Sequence, residues 1–96
     1  MTCSQYHLLD ALDKLGLAIN ETELLLVNDR SQILLAFLKE LQRYREMACD
    51  HWPLSADEKT TVDIGRVAAR ELDNMYPDYV TLLSRVGALL REEQQL

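Results

Sequence analysis

His51-Trp52-Pro53-Leu54 divides this chain near its middle, and it narrows the choice of fold more than any other feature. Proline has no backbone donor and its ring clashes with the preceding turn, so a helix arriving here must stop. Directly after it, Ser55-Ala56-Asp57-Glu58 has the form of a capping box. Ser55 stands at the N-cap, an acid stands three residues on, and negative charge fills the first turn, where the helix dipole favours it. A helix is therefore expected to begin at Ala56, and Ser55 to pair with Glu58. On both sides of this break the apolar residues recur at steps of three and four, and no alternating strand pattern competes. The reading is all-α: an antiparallel helical hairpin or bundle of two long arms, with three to four helices, forming a single domain over residues 1–96.

Composition agrees. Hydrophobic residues make up 48% of the chain, with only three glycines and two prolines. That is too apolar for a disordered segment and too poor in turn residues for a β-sandwich. A domain of 96 residues is only marginally stabilised by its own burial, so packing against a partner adds materially.

Each arm carries a further punctuation mark. In the first arm, Gly16 follows an apolar-periodic run in the manner of a helix C-terminus, and Asn20-Glu21-Thr22-Glu23 resembles a new start. Against this, Leu8, Leu12, Leu15, Ile19 and Leu26 hold heptad spacing straight across Gly16. A glycine costs a helix only about 1 kcal/mol relative to alanine. A second break is available at Asn28-Asp29-Arg30-Ser31, so one helix and two both remain open for this arm. In the second arm the mark is Tyr76-Pro77. Gly65, Ala68, Leu72, Met75, Tyr79, Leu82, Val86 and Leu89 keep a heptad seam through the proline, which predicts an arm kinked at Pro77. The alternative is a tight restart, capped by Asp73 or Asn74, with Pro77 in the first turn of a last helix.

The first arm has more apolar surface than one stripe requires. Leu24-Leu25-Leu26-Val27 and Ile33-Leu34-Leu35-Ala36-Phe37-Leu38 are unbroken apolar runs, and consecutive residues lie ~100° apart around a helix axis. Such a helix is either central to its own bundle or offers one face to another molecule. Two stripes are expected. Leu26, Ile33, Phe37 and Tyr44 form one; Leu24, Val27, Leu34, Leu38 and Leu41 form the other, and one of the two is expected to meet a second protein chain. Tyr76 and Tyr79, flanking Pro77, are added as a recognition spot because tyrosine is favoured at interface centres. Core tyrosines at a kink are the competing reading.

Charge and motif limit the function classes. Sixteen acids and ten bases give a formal net charge of -6, with the signs interspersed. Neither a nucleic-acid backbone nor an anionic membrane suits such a surface, since both need clustered Lys and Arg. The pairs Asp10/Lys14, Asp63/Arg66 and Arg70/Asp73 read as solvated helix faces. Cys3 with His7 and Cys49 with His51 have the composition of a zinc site without its spacing, so no metal is expected. His7 with Ser4 or Asp10 lacks the third member of a nucleophilic site, and Gly16, Gly65 and Gly87 stand alone rather than in a phosphate loop. No repeated Glu-x-x-Glu motif gathers carboxylates for Mg²⁺. No cofactor and no catalytic residue are expected, and the chain is read as a non-enzyme. Met1-Thr2-Cys3-Ser4-Gln5 does not open a secretory signal, no run approaches ~18 apolar residues, and two cysteines make no disulfide framework; the cytoplasm is the expected location.

The stretch from Leu24-Leu25-Leu26-Val27-Asn28-Asp29-Arg30 to Leu41-Gln42-Arg43-Tyr44-Arg45-Glu46 resembles the leucine-rich helix of the small helical chaperones of bacterial flagellar and type III export. The stretch from Ala69-Arg70-Glu71-Leu72-Asp73-Asn74 to Leu89-Leu90-Arg91-Glu92-Glu93 is similar to their long C-terminal helix. Pro77 and Gly65 depart from that pattern. The resemblance implies a cytosolic protein that sheathes the amphipathic helix of an export substrate, and no functional residue carries over with it. The expected function is a protein-binding module, a chaperone or adaptor whose partner is a client chain or a second copy in a homodimer. The alternatives are a small acidic inhibitor of the immunity type and a structural homodimer subunit.

Overall fold

The computed structural model describes residues 3–72 and 74–91. Its elements are helices: α1 (Cys3–Asn28), α2 (Gln32–Asp50), α3 (Ala56–Thr60), α4 (Ile64–Leu72) and α5 (Pro77–Leu90). The fold is an all-α bundle, with no strand among the described residues.

Each arm doubles back on itself. In the first arm, Gly16 leaves α1 unbroken and the chain turns instead at residues 29–31. Ser31 caps the new helix, its hydroxyl oxygen accepting from the Ile33 N–H at 3.2 Å. The two apolar runs therefore lie on different helices. The stripes expected across them lose their register at the turn, because a heptad step has meaning only along one continuous helix.

The linker between the arms follows the sequence closely. His51 is the C-cap of α2, donating its N–H to the Met47 carbonyl. The capping box is complete: Glu58 N–H donates to Ser55 Oγ at 3.1 Å, and Ser55 N–H donates to Glu58 Oε1 at 2.8 Å. The helix that follows is short, ending at Thr60, and Thr60 and Thr61 each turn a hydroxyl back onto a carbonyl of the same turn.

At Pro77 the second arm does more than kink. The backbone leaves the helix after Leu72, turns through Asn74 and Met75, and restarts with Pro77 in the first turn, where its missing donor costs nothing. Tyr76 is the N-cap, without a side-chain cap bond; Asn74 does not fill that role, and Asp73 lies outside the described residues. The heptad seam is thus not continuous. Met75 is 61% exposed, and α5 buries Tyr79, Val80, Leu83, Val86, Gly87 and Leu90 instead. Helices α4 and α5 pack on each other, and Gly65 sets how closely. A Cβ on Gly65 would stand 2.8 Å from the Cα of Ser84. Only glycine fits there.

The core is shared by α1, α2, α4 and α5. Ala11, Leu15 and Ala18 of α1 meet Leu34, Phe37, Leu41 and Tyr44 of α2, with Leu83, Val86 and Leu90 of α5 in the same cluster. Leu54 and Val62 seal the linker over it. Leu8, Leu12, Ile19 and Leu26, from the heptad line that crosses Gly16, pack against this core from its edge.

Candidate functional site

The residues expected to bind a partner mostly serve the interior. Phe37, Tyr44 and Tyr79 are buried. Leu26 and Tyr76 are half-buried and pack on the core, leaving Ile33 as the one expected residue on the exposed side. The physical reason is the turn at residues 29–31. It points α2 back along α1, so Phe37 and Tyr44 are enclosed in the shared core, Phe37 beside Ile64 and Val67 of α4 and Tyr44 beside Thr61, rather than facing solvent. Of the second stripe, Leu34 and Leu41 are buried, Leu38 is half-buried, and Leu24 and Val27 are exposed.

The buried tyrosines are held as core residues. Tyr79 Oη lies 2.6 Å from Thr22 Oγ1, and burial raises its phenol above the ordinary value. Tyr44 is raised too, chiefly by burial, and its hydroxyl reaches only a long 3.5 Å contact to the Thr61 carbonyl. Tyr76 donates to Asp29 Oδ2 at 2.7 Å, tying the start of α5 to the turn between α1 and α2. That carboxylate raises the Tyr76 phenol. These contacts fasten the two arms together and commit the hydroxyls of Tyr76 and Tyr79 within the fold.

Besides Ile33 and Leu35 on α2 and Met75 before α5, the exposed large apolar side chains among the described residues lie on the outer side of α1. Leu9 and Leu17 are 50% exposed, Leu24 55% and Val27 71%. With Gly16, also exposed, they fall within an arc of roughly 100° at ~100° per residue. The buried positions Ala11, Leu15, Ala18 and Thr22 lie on the opposite side of the same helix. Nothing stands within 4 Å of where a Gly16 Cβ would be. So α1 has two apolar faces, and its own bundle covers one. Leu9, Leu17 and Leu24 are spaced eight and seven residues apart, and this spacing is visible in the sequence once the Leu8–Leu15–Ile19 line is assigned to the core.

Other surfaces carry less. A cleft of about 270 Å³ between α4 and α5 is lined by Asp63, Arg66, Ser84 and Arg91, with Val62 and small residues around them. Along the exposed side of α2, Arg43 forks onto Glu40 at 2.9 and 3.0 Å, and this holds Glu40 below the ordinary carboxylate value. No group of three His, Cys, Asp or Glu side chains suited to a metal ion exists among the described residues. Cys49 is exposed and free of any disulfide, and the side chain of Cys3, weighed with His7 as part of a zinc composition, lies outside the described side chains. No described helix is long and apolar enough to cross a membrane. Comparison with family models, curated proteins and solved structures finds no match to this chain, and the outer face of α1 is the surface on which a functional reading must rest.

Proposed function

We propose that the protein is a non-enzymatic binding module that engages another protein chain through the outer face of α1. A single observation carries this reading: one continuous helix has opposed apolar faces, and the fold covers one of them. Scattered exposed leucines are ordinary on a protein surface, but Leu9, Leu17, Leu24 and Val27 fall on one side of a single helix over five turns, with Asp13 and Asn20 exposed between them. Helix-in-groove and helix-on-helix recognition both use anchors at such spacing. The resemblance to the export chaperones supports the same reading, as an adaptor or chaperone that sheathes an amphipathic helix, working in the cytoplasm.

The test separates binding from folding. Leu17→Glu and Leu24→Glu place a charge on the outer face, where solvent can hydrate it. Both variants should keep the wild-type helical circular dichroism and melting temperature. Both should lose the chains that co-purify with the wild type from native lysate, or its self-association in sedimentation. Unfolding of both variants, or unchanged association in both, would sink the proposal.

A further inference from the structure

We infer that the occupant of the outer face of α1 is an amphipathic helix whose apolar stripe is flanked on both sides by lysine or arginine. The inference rests on the binding reading above and adds the partner's chemistry. Four acids lie on the part of α1 whose side chains are described, at Asp10, Asp13, Glu21 and Glu23, against one strong base, Lys14. That base is already committed: its ammonium stands 3.3 Å from Asp10 and 3.5 Å from Asp13. Glu21 and Glu23 are exposed and have no ion-pair partner among the described residues. By the same ~100° count, Glu21 lies just beyond Leu17 on one flank of the leucine stripe and Glu23 just beyond Gly16 on the other. The face is therefore a line of separate apolar side chains, with Asp13 and Asn20 exposed between them and an uncompensated carboxylate on each rim.

Charge decides among occupants. A second copy of the chain seated on this face would bring an equally acidic α1 against these rims, in a molecule of net charge -6. Like charges facing across an interface cost affinity, whereas opposite ones steer the encounter and fix the register. A helix with basic flanks satisfies Glu21 and Glu23 together while its apolar stripe covers Leu9, Leu17, Leu24 and Val27. The face spans 19 residues from Leu9 to Val27, and the 18 steps between them cover roughly 27 Å at 1.5 Å per residue. Gly16 lies midway along its length, on the rim next to Glu23, and nothing stands within 4 Å of where its Cβ would be.

Two synthetic helical peptides of about five turns test this, at the 5.4 Å pitch of the α-helix. They share one leucine stripe and differ only in lysine or glutamate flanks. Their binding to the intact protein is read by fluorescence anisotropy. At low salt the lysine-flanked peptide should bind at least about tenfold more tightly, and the gap should narrow as salt is added. The double variant Glu21→Lys, Glu23→Lys should reverse the preference, and Leu17→Glu should weaken both peptides. Equal binding of the two peptides, or a preference unmoved by the double charge reversal, overturns the inference. If neither peptide binds but the protein dimerises in a Leu17-dependent way, the occupant is a second copy: the inference fails and the binding reading stands. If neither binds and the protein is a monomer, both fall.

Discussion

Thr22 Oγ1 stands 2.6 Å from Tyr79 Oη in the interior between α1 and α5, and the direction of that bond follows from counting protons. Thr22 has one hydroxyl hydrogen and places it on the Ala18 carbonyl, 2.7 Å away. The phenol is therefore the donor and Thr22 the acceptor. Burial keeps the phenol protonated, so it remains a donor at ordinary pH.

The two halves of this bond are not equivalent under mutation. Tyr79→Phe removes the donor but leaves Thr22 bonded to Ala18, and should cost about 1 kcal/mol. Thr22→Val leaves a buried phenol hydrogen without an acceptor, and should cost more, about 1–3 kcal/mol. In the double variant no polar atom is stranded, so its loss should be smaller than the sum of the two. Urea unfolding of the three variants measures this; additive losses would mean the bond is not made.

Two glycines invite opposite outcomes. Gly65→Ala would drive its methyl to within 2.8 Å of the Ser84 Cα, a backbone atom that cannot move aside, and should cost about 1–3 kcal/mol as α4 and α5 are forced apart. Gly16→Ala meets nothing, and should stabilise α1 by about 0.5–1 kcal/mol through helix propensity alone. Melting temperatures should move down for the first and up for the second.

The linker is sensitive to pH through His51 and Glu58. His51 Nε2 stands 2.5 Å from Glu58 Oε1, and Nδ1 stands 3.0 Å from Asp50 Oδ2. Glu58, then Asp50, raises the imidazole above its ordinary 6.5. His51, then the Ser55 backbone N–H, holds Glu58 below its ordinary 4.5. A raised histidine stabilises the fold fully below 6.5 and ceases to as pH climbs through its folded value. A lowered glutamate stabilises above 4.5 and ceases to as pH falls through its folded value. The pair therefore contributes most between these two values. His51→Gln should lower the melting temperature more at about pH 5.5 than at about pH 8.5. Because both groups are exposed, salt should shrink the difference.

Ser55→Ala removes the hydroxyl that accepts from Glu58 N–H, and should cost about 1 kcal/mol, the usual value for a lost N-cap. The loss should persist across the pH range, unlike that of His51→Gln. Urea titrations at two pH values, in which no salt is added by the denaturant, distinguish the two effects.

The amino-acid sequence by itself determined what depends on neighbours along the chain. The all-α class follows from three-and-four spacing, the mid-chain break from Pro53, and the start at Ala56 from a capping box whose partners are three residues apart. All three are local, with energies set by propensity and short-range hydrogen bonds. Tertiary structure decided which of two legible options was taken wherever the alternatives differed by about 1 kcal/mol in local terms. Gly16 is carried through α1 because Ala11, Leu15, Ala18 and Thr22 need one unbroken face against α2 and α5. The arm turns back at Pro77 because Gly65 lets α4 close onto Ser84. Above all, packing decided which apolar stripe is inside. Phe37, Tyr44 and Tyr79 read as well for a binding surface as for a core, since periodicity reports that a face is apolar and not what covers it. The turn at residues 29–31 folds α2 onto one side of α1, and Leu9, Leu17, Leu24 and Val27 are left on the other.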